Sequence, residues 1–68
     1  VYEVDQYGIK KAVEGLNEEL KLITILYYYD DYSVNEISEI VDIPIGTVKS
    51  RLSRAREILK NKLGKEEF

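Results

Sequence analysis

The 68-residue sequence has no cysteine and no histidine. Disulfides, thiol chemistry, Cys/His zinc sites and histidine-based acid–base catalysis are therefore excluded within this chain. Its apolar runs are too short to span a bilayer and it shows no signal-peptide pattern, so a cytoplasmic location is expected. It offers neither a nucleophile–base pair nor a glycine-rich loop that would cradle a phosphate, so neither enzyme activity nor a cofactor is expected. Asp30 and Asp31 lack the further, regularly spaced ligands of a calcium loop and read as a solvated turn. The chain opens at Val1 without methionine, which suggests a domain cut from a longer protein. A chain of this length supports one domain with a thin core that buries about 60% of its unfolded surface. Modest stability follows.

Basic residues are scarce over most of the chain. Residues 1–44 hold Lys10, Lys11 and Lys21 against ten acids, a net −7, whereas residues 45–65 hold seven bases against Glu57, a net +6; Glu66 and Glu67 complete the overall −3. This segregation reconciles an acidic chain with binding to a polyanion. Positive field at one end and negative at the other would orient the domain on nucleic acid, with weak affinity for the isolated domain. Lys60, Lys62 and Lys65 are also well placed simply to complement the C-terminal end of a helix.

The positive segment begins at the sole proline. Pro44 is pre-organised for a first helical turn, and Gly46 with Thr47 keeps that turn slim enough to approach another surface. At about 100° per residue, Val48, Leu52, Ala55 and Leu59 form an inward stripe. Gly46, Ser50, Ser53 and Glu57 lie opposite, flanked by Lys49 and Arg54. Such a ridge suits a DNA major groove, where side chains near the helix start reach base edges and marginal cations and hydroxyls hold phosphates. Taken alone, it fits an ordinary solvated helix face equally well.

A second signal precedes it. Ser33-Val34-Asn35-Glu36 has the form of a capping box, and Val34, Ile37, Ile40 and Val41 follow helical spacing up to Asp42, which tolerates a left-handed turn. A short helix, a tight turn holding a buried Ile43 and a basic second helix constitute a helix-turn-helix over about residues 33–60. Upstream, Ile9, Val13 and Leu16 make a shorter amphipathic helix ending near Gly15, and Asn17 caps a helix led by Glu18 and Glu19 that runs to about Tyr29. Leu20, Leu22, Ile23, Ile25, Leu26 and Tyr27 to Tyr29 cover more than one face of that helix, so it serves as the central helix and also carries surface for a partner. Asp30-Asp31-Tyr32 is the short connecting loop. The tyrosines Tyr27, Tyr28, Tyr29 and Tyr32 fit core and boundary packing better than a stacking platform for single-stranded bases. The fold class expected is all-α: a small four-helix domain, residues 1–68, ending in a helix-turn-helix with a long C-terminal recognition helix.

From about Leu16 to Leu63 the chain resembles region 4 of bacterial sigma factors, most closely the extracytoplasmic-function group. The residues that carry the resemblance are Glu36-Ile37, Ile43-Pro44, Gly46 to Leu52 and Arg54 to Arg56. The resemblance implies a domain that reads the promoter −35 element as double-stranded DNA and docks on the β flap of the RNA polymerase core. It implies that Lys49, Ser50, Ser53 and Arg54 approach base edges or adjacent phosphates, and that Thr47 and Arg51 contact the backbone, with Ser33 a further phosphate contact in the helix-turn-helix. Ser53 is a candidate determinant of promoter preference. Arg56 lies nearer the inward stripe, where a salt bridge to an acid on the preceding helix is an equal alternative. Apolar surface around Leu22, Ile25, Leu26 and Tyr28 would meet the polymerase or an anti-sigma factor, and the isolated domain is expected to be monomeric. Three positions depart from the family pattern: Asn17 replaces a common proline, Tyr27 a frequent arginine and Ser38 a frequent alanine. The change at Tyr27 removes a cation and any phosphate or polymerase contact it would make.

Two other readings fit parts of the sequence. A LuxR-type response-regulator DNA-binding domain shares the Thr-Val-Lys start of the recognition helix, although Ile-Pro-Ile-Gly and the Ser-Arg-Leu-Ser-Arg-Ala-Arg continuation favour the sigma pattern. A protein-interaction domain would use the apolar central helix on polymerase or an anti-sigma factor, with DNA contact secondary.

Overall fold

The computed structural model describes residues 2–64, and their side chains from Gly8 onward. Four helices follow one another: α1 (Tyr2–Glu14), α2 (Glu18–Thr24), α3 (Val34–Val41) and α4 (Ile45–Leu63). The last turn of the second helix continues as a π-helical segment, Ile25–Tyr29. No strand occurs among the described residues, and the all-α expectation holds.

Each helix boundary has a local chemical cause. The Asn17 side chain accepts from the Leu20 amide at 3.0 Å, while Glu18 and Glu19 place negative charge at the positive end of α2. Ser33 and Glu36 form the reciprocal capping box: the Glu36 amide donates to Ser33 Oγ at 3.1 Å and the Ser33 amide donates to Glu36 Oε1 at 2.8 Å. α3 ends at Asp42, which adopts the left-handed conformation at φ 62°. Ser38 then secures the turn, its hydroxyl donating to the Ile43 carbonyl at 2.6 Å. Pro44 stands one residue earlier than expected: it is the N-cap of α4, with φ −61° and ψ 150°, and its carbonyl accepts from the Thr47 and Val48 amides. Gly64 closes α4 with φ 68°, a conformation that needs no Cβ.

Two apolar clusters are threaded on α4. Ala12, Val13, Leu16, Leu20, Ala55 and Leu59 join α1 and the start of α2 to its C-terminal half. Ile23, Ile37, Val48 and Leu52 join α2 and α3 to its N-terminal half. The predicted stripe of Val48, Leu52, Ala55 and Leu59 is buried in full. Burial of Val48, Leu52 and Leu59 contributes about 1.5–3 kcal/mol each relative to exposure, and the Ala55 methyl less. Ile43 is half-buried against the second cluster rather than fully buried, and Ile40, expected on the apolar face of α3, is 53% exposed.

The π-helical turn was not anticipated. Its ring closes where the Asp30 amide donates to the Ile25 carbonyl at 3.1 Å, five residues back. Thr24, at the junction, is buried and satisfies its hydroxyl by donating to the Leu20 carbonyl at 2.7 Å. Such back-bonding bends a helix, here where the backbone widens. The wider turn still packs both ways, with Ile25 against the first cluster and Leu26 and Tyr27 against the second. Asp31 leaves it in the left-handed region at φ 62°.

Candidate nucleic-acid interface

Because the stripe on α4 is buried, the opposite face must look outward. Lys49, Ser50, Ser53 and Arg54 are all exposed, and Thr47 is half-buried at their margin. Neither Lys49 nor Arg54 makes an ion pair or hydrogen bond among the described residues. The ridge therefore presents two cations and two hydroxyls on a helix fixed from behind by core packing. Acid is sparse along it: Glu57 is the only acid within α4. Ile45 and Gly46, at the start of the same helix, are exposed beside the ridge.

Two arginines of the same segment are directed elsewhere. Arg51 turns back toward α2, where its Nη2 lies 3.8 Å from Glu19 Oε1, with the arginine side chain only 29% exposed. Arg56 donates from Nε to the Tyr28 hydroxyl at 2.8 Å. The salt bridge to an acid on the preceding helix considered for Arg56 is thus replaced by a neutral acceptor on the π-helical turn. At about 100° per residue the two arginines lie on opposite flanks of the buried stripe. They brace α4 on its partner helix instead of extending the ridge. The Arg51–Glu19 contact is solvent-accessible and contributes at most about 1 kcal/mol.

Ser33 is exposed at the first helix of the motif, and its Oγ and amide are occupied within the capping box. Its hydroxyl hydrogen is left for an outside acceptor. Beside it, Tyr27, Tyr28, Asp31, Tyr32, Ser33 and Glu36 line an open groove of about 450 Å³. Tyr27 and Tyr28 meet edge to face, with ring centroids 5.0 Å apart. Two carboxylates among the rings disfavour a nucleic-acid strand there, but of the four tyrosines only Tyr27 packs against a core cluster, while Tyr28, Tyr29 and Tyr32 are exposed. Tyr29 has its phenol held above the ordinary value of 10.0 by burial and, secondarily, by the Glu14 carboxylate.

The apolar surface expected around Leu22, Ile25, Leu26 and Tyr28 divides in two. Leu22 is 47% exposed and Tyr28 is exposed, but Ile25 and Leu26 pack against the core clusters and belong to the fold. Among the C-terminal lysines, Lys60 and Lys62 occupy the last turn of α4. The Lys62 ammonium also reaches the end of α1, 2.8 Å from where a Cβ on Gly15 would stand, so it serves helix-terminal electrostatics. Lys65, Glu66 and Glu67 lie outside the described residues. No helix among the described residues is long and apolar enough to cross a membrane, and no acidic cluster suited to a metal ion occurs among them.

Comparison with known proteins gives a consistent result. Residues 8–59 match the family model described as Sigma-70, region 4. The chain is 40% identical over 55 residues to the ECF RNA polymerase sigma factor SigW of Bacillus subtilis, covering 81% of this chain and 29% of that protein. It is 43% identical over 53 residues to the ECF RNA polymerase sigma-E factor of Escherichia coli K12, covering 78% and 28%, with the same values for the protein of that name from Salmonella typhimurium. The chain therefore spans less than a third of the length of these relatives. No solved structure gives a significant match.

Proposed function

From the premise that the chain belongs to the sigma-70 region 4 family, we propose that α4 reads the −35 element of a bacterial promoter while α2 docks on the β flap of RNA polymerase, directing transcription initiation. The observation that carries this reading is the ridge itself: Lys49, Ser50, Ser53 and Arg54 stand exposed together on a helix whose opposite face is locked in the core. Lys49 and Arg54 supply charge to phosphates or hydrogen bonds to guanine edges, and Ser50 and Ser53 donate to bases or phosphates at short range. Thr47, at the margin of the ridge, would meet the DNA backbone; Ser33 has a hydroxyl hydrogen to offer but stands between Asp31 and Glu36, which weakens it as a phosphate contact. Arg51 acts chiefly by holding α4 on α2 and reaches phosphate only by leaving Glu19. The exposed Leu22 of α2 and the exposed Tyr28 of the π-helical turn are the residues offered to polymerase or an anti-sigma factor. Such a domain works in the cytoplasm, where the polymerase is.

An acidic domain with so small a basic ridge binds DNA weakly by itself. Useful affinity arises when polymerase and the remainder of a sigma factor hold it near its site at high effective concentration. The test is a graft: this chain replaces the corresponding segment of a full-length sigma factor, and promoter use is read by in vitro transcription. Selectivity for a new −35 sequence, lost on Lys49→Ala and Arg54→Ala, is the expected result. A graft that binds polymerase yet shows no −35 preference would sink base reading and leave an interaction domain.

A further inference from the structure

Ile45 opens α4, and 41% of it is exposed although isoleucine is ordinarily a core residue. It is not a member of the cluster that Val48 and Leu52 build one and two turns further on. Its neighbour Gly46 is equally unexplained by the fold. Gly46 does not adopt a positive φ, and nothing lies within 4 Å of the place a Cβ would occupy. Neither backbone conformation nor internal packing calls for glycine there, and glycine weakens a helix relative to alanine. Gly8 also stands in open space, but on α1, which packs against the other end of α4. What sets Gly46 apart is its place: it heads the line of Ser50 and Ser53, at i, i+4 and i+7, while Ile45 precedes Lys49 by four residues on the adjoining line.

We propose that Ile45 is a further specificity-determining residue, packing its side chain on the C5 methyl group of a thymine in the major groove, with Gly46 providing the clearance that lets the first turn come close enough. The inference rests on the reading of α4 as the DNA-facing helix. Its chemistry is narrow. An aliphatic side chain makes no hydrogen bond to a base edge, and the thymine methyl is the apolar feature that the major groove displays. The neighbouring charge suits DNA, since the next residue on the same line is the exposed Lys49.

Duplexes bound by the 68-residue chain are selected at low salt from a pool with a randomised segment, and binding is measured by fluorescence anisotropy as thymines are exchanged one at a time for deoxyuridine. One exchange should weaken the wild-type chain by about fourfold, the equivalent of one lost methyl contact. Ile45→Ala should bind more weakly by a similar factor and bind thymine and deoxyuridine duplexes equally, whereas Ile45→Val keeps the distinction. Gly46→Ala should melt at a higher temperature by circular dichroism and yet bind less tightly. Lys49→Ala on the same duplexes separates the two levels. If it weakens binding while no thymine exchange matters, or while Ile45→Ala still discriminates, the thymine contact is wrong and the DNA-facing reading stands. If neither Lys49→Ala nor Ile45→Ala affects binding, or no duplex is selected, both fall.

Discussion

Salt dependence of DNA binding counts how many cations the exposed ridge of α4 presents to phosphate. Four basic residues lie between positions 49 and 56, but Arg51 is paired with Glu19 and Arg56, though still charged, is drawn off the ridge by the Tyr28 hydroxyl, leaving Lys49 and Arg54 on the ridge for phosphate. Each neutralised phosphate adds about −0.9 to the slope of log K against log salt, so the two predict about −1.8 and all four would give about −3.6. Between 50 and 200 mM salt the first slope costs about twelvefold in affinity and the second about 150-fold. Fluorescence anisotropy with a labelled duplex distinguishes these values without knowledge of the promoter, because phosphate neutralisation is blind to sequence. Lys49→Ala and Arg54→Ala should each reduce the slope by about 0.9, while Arg51→Ala and Arg56→Ala leave it nearly unchanged and lower the melting temperature. A slope near −3.6 that falls on Arg51→Ala or Arg56→Ala would refute the division between ridge and brace.

Three further outcomes follow from the geometry. Ser33→Ala removes one half of the capping box and should cost about 1 kcal/mol, a fall of about 4–8 °C in melting temperature; an unchanged midpoint would mean the cap contributes nothing. Leu22→Glu should leave thermal stability near that of the wild type and weaken polymerase binding in a pull-down, whereas Leu26→Glu should unfold the domain by burying a charge against Ile23 and Ile37; equal destabilisation by the two would contradict the exposed surface. Tyr29 has a raised pKa in the fold, so its contribution is intact below the unfolded value near 10 and is lost as pH rises through the folded one. Tyr29→Phe should therefore flatten the decline in stability above about pH 10 seen in alkaline denaturation, and a parallel decline in both proteins would rule the residue out.

The parts of the fold legible in the sequence are those governed by near neighbours. The capping box needs residues three apart, the left-handed Asp42 needs only its own side chain, and the Val48–Leu59 stripe needs only the helical period. The π-helical turn was illegible because the run from Leu22 to Tyr29 is apolar on every face, so no periodic signal marks a widened turn. The fates of Arg51 and Arg56 were hidden for another reason. Their partners, Glu19 and Tyr28, are far away in sequence and close only once α2 crosses α4. Ile40 shows the limit of hydrophobic patterning, since an apolar residue at helical spacing near a helix end can lie beyond the edge of the core. For the candidate interface, the exposure of Lys49, Ser50, Ser53 and Arg54 was readable from the stripe behind them, whereas the apolar run from Leu22 to Tyr28 gave no sign that Ile25 and Leu26 pack against the core.

Threading both apolar clusters on one uninterrupted helix also makes α4 a lever. It is about 28 Å long, and its two halves are gripped by different parts of the domain. A rigid tilt of about 10° about its midpoint moves each end by roughly 2.4 Å, several times the range of about 0.5 Å over which a hydrogen bond keeps its length. A load that rocks the Leu59 end against α1 therefore reaches Gly46 by shifting Val48 and Leu52 against α2 and α3. The position of one terminus and the packing at the other are a single mechanical variable.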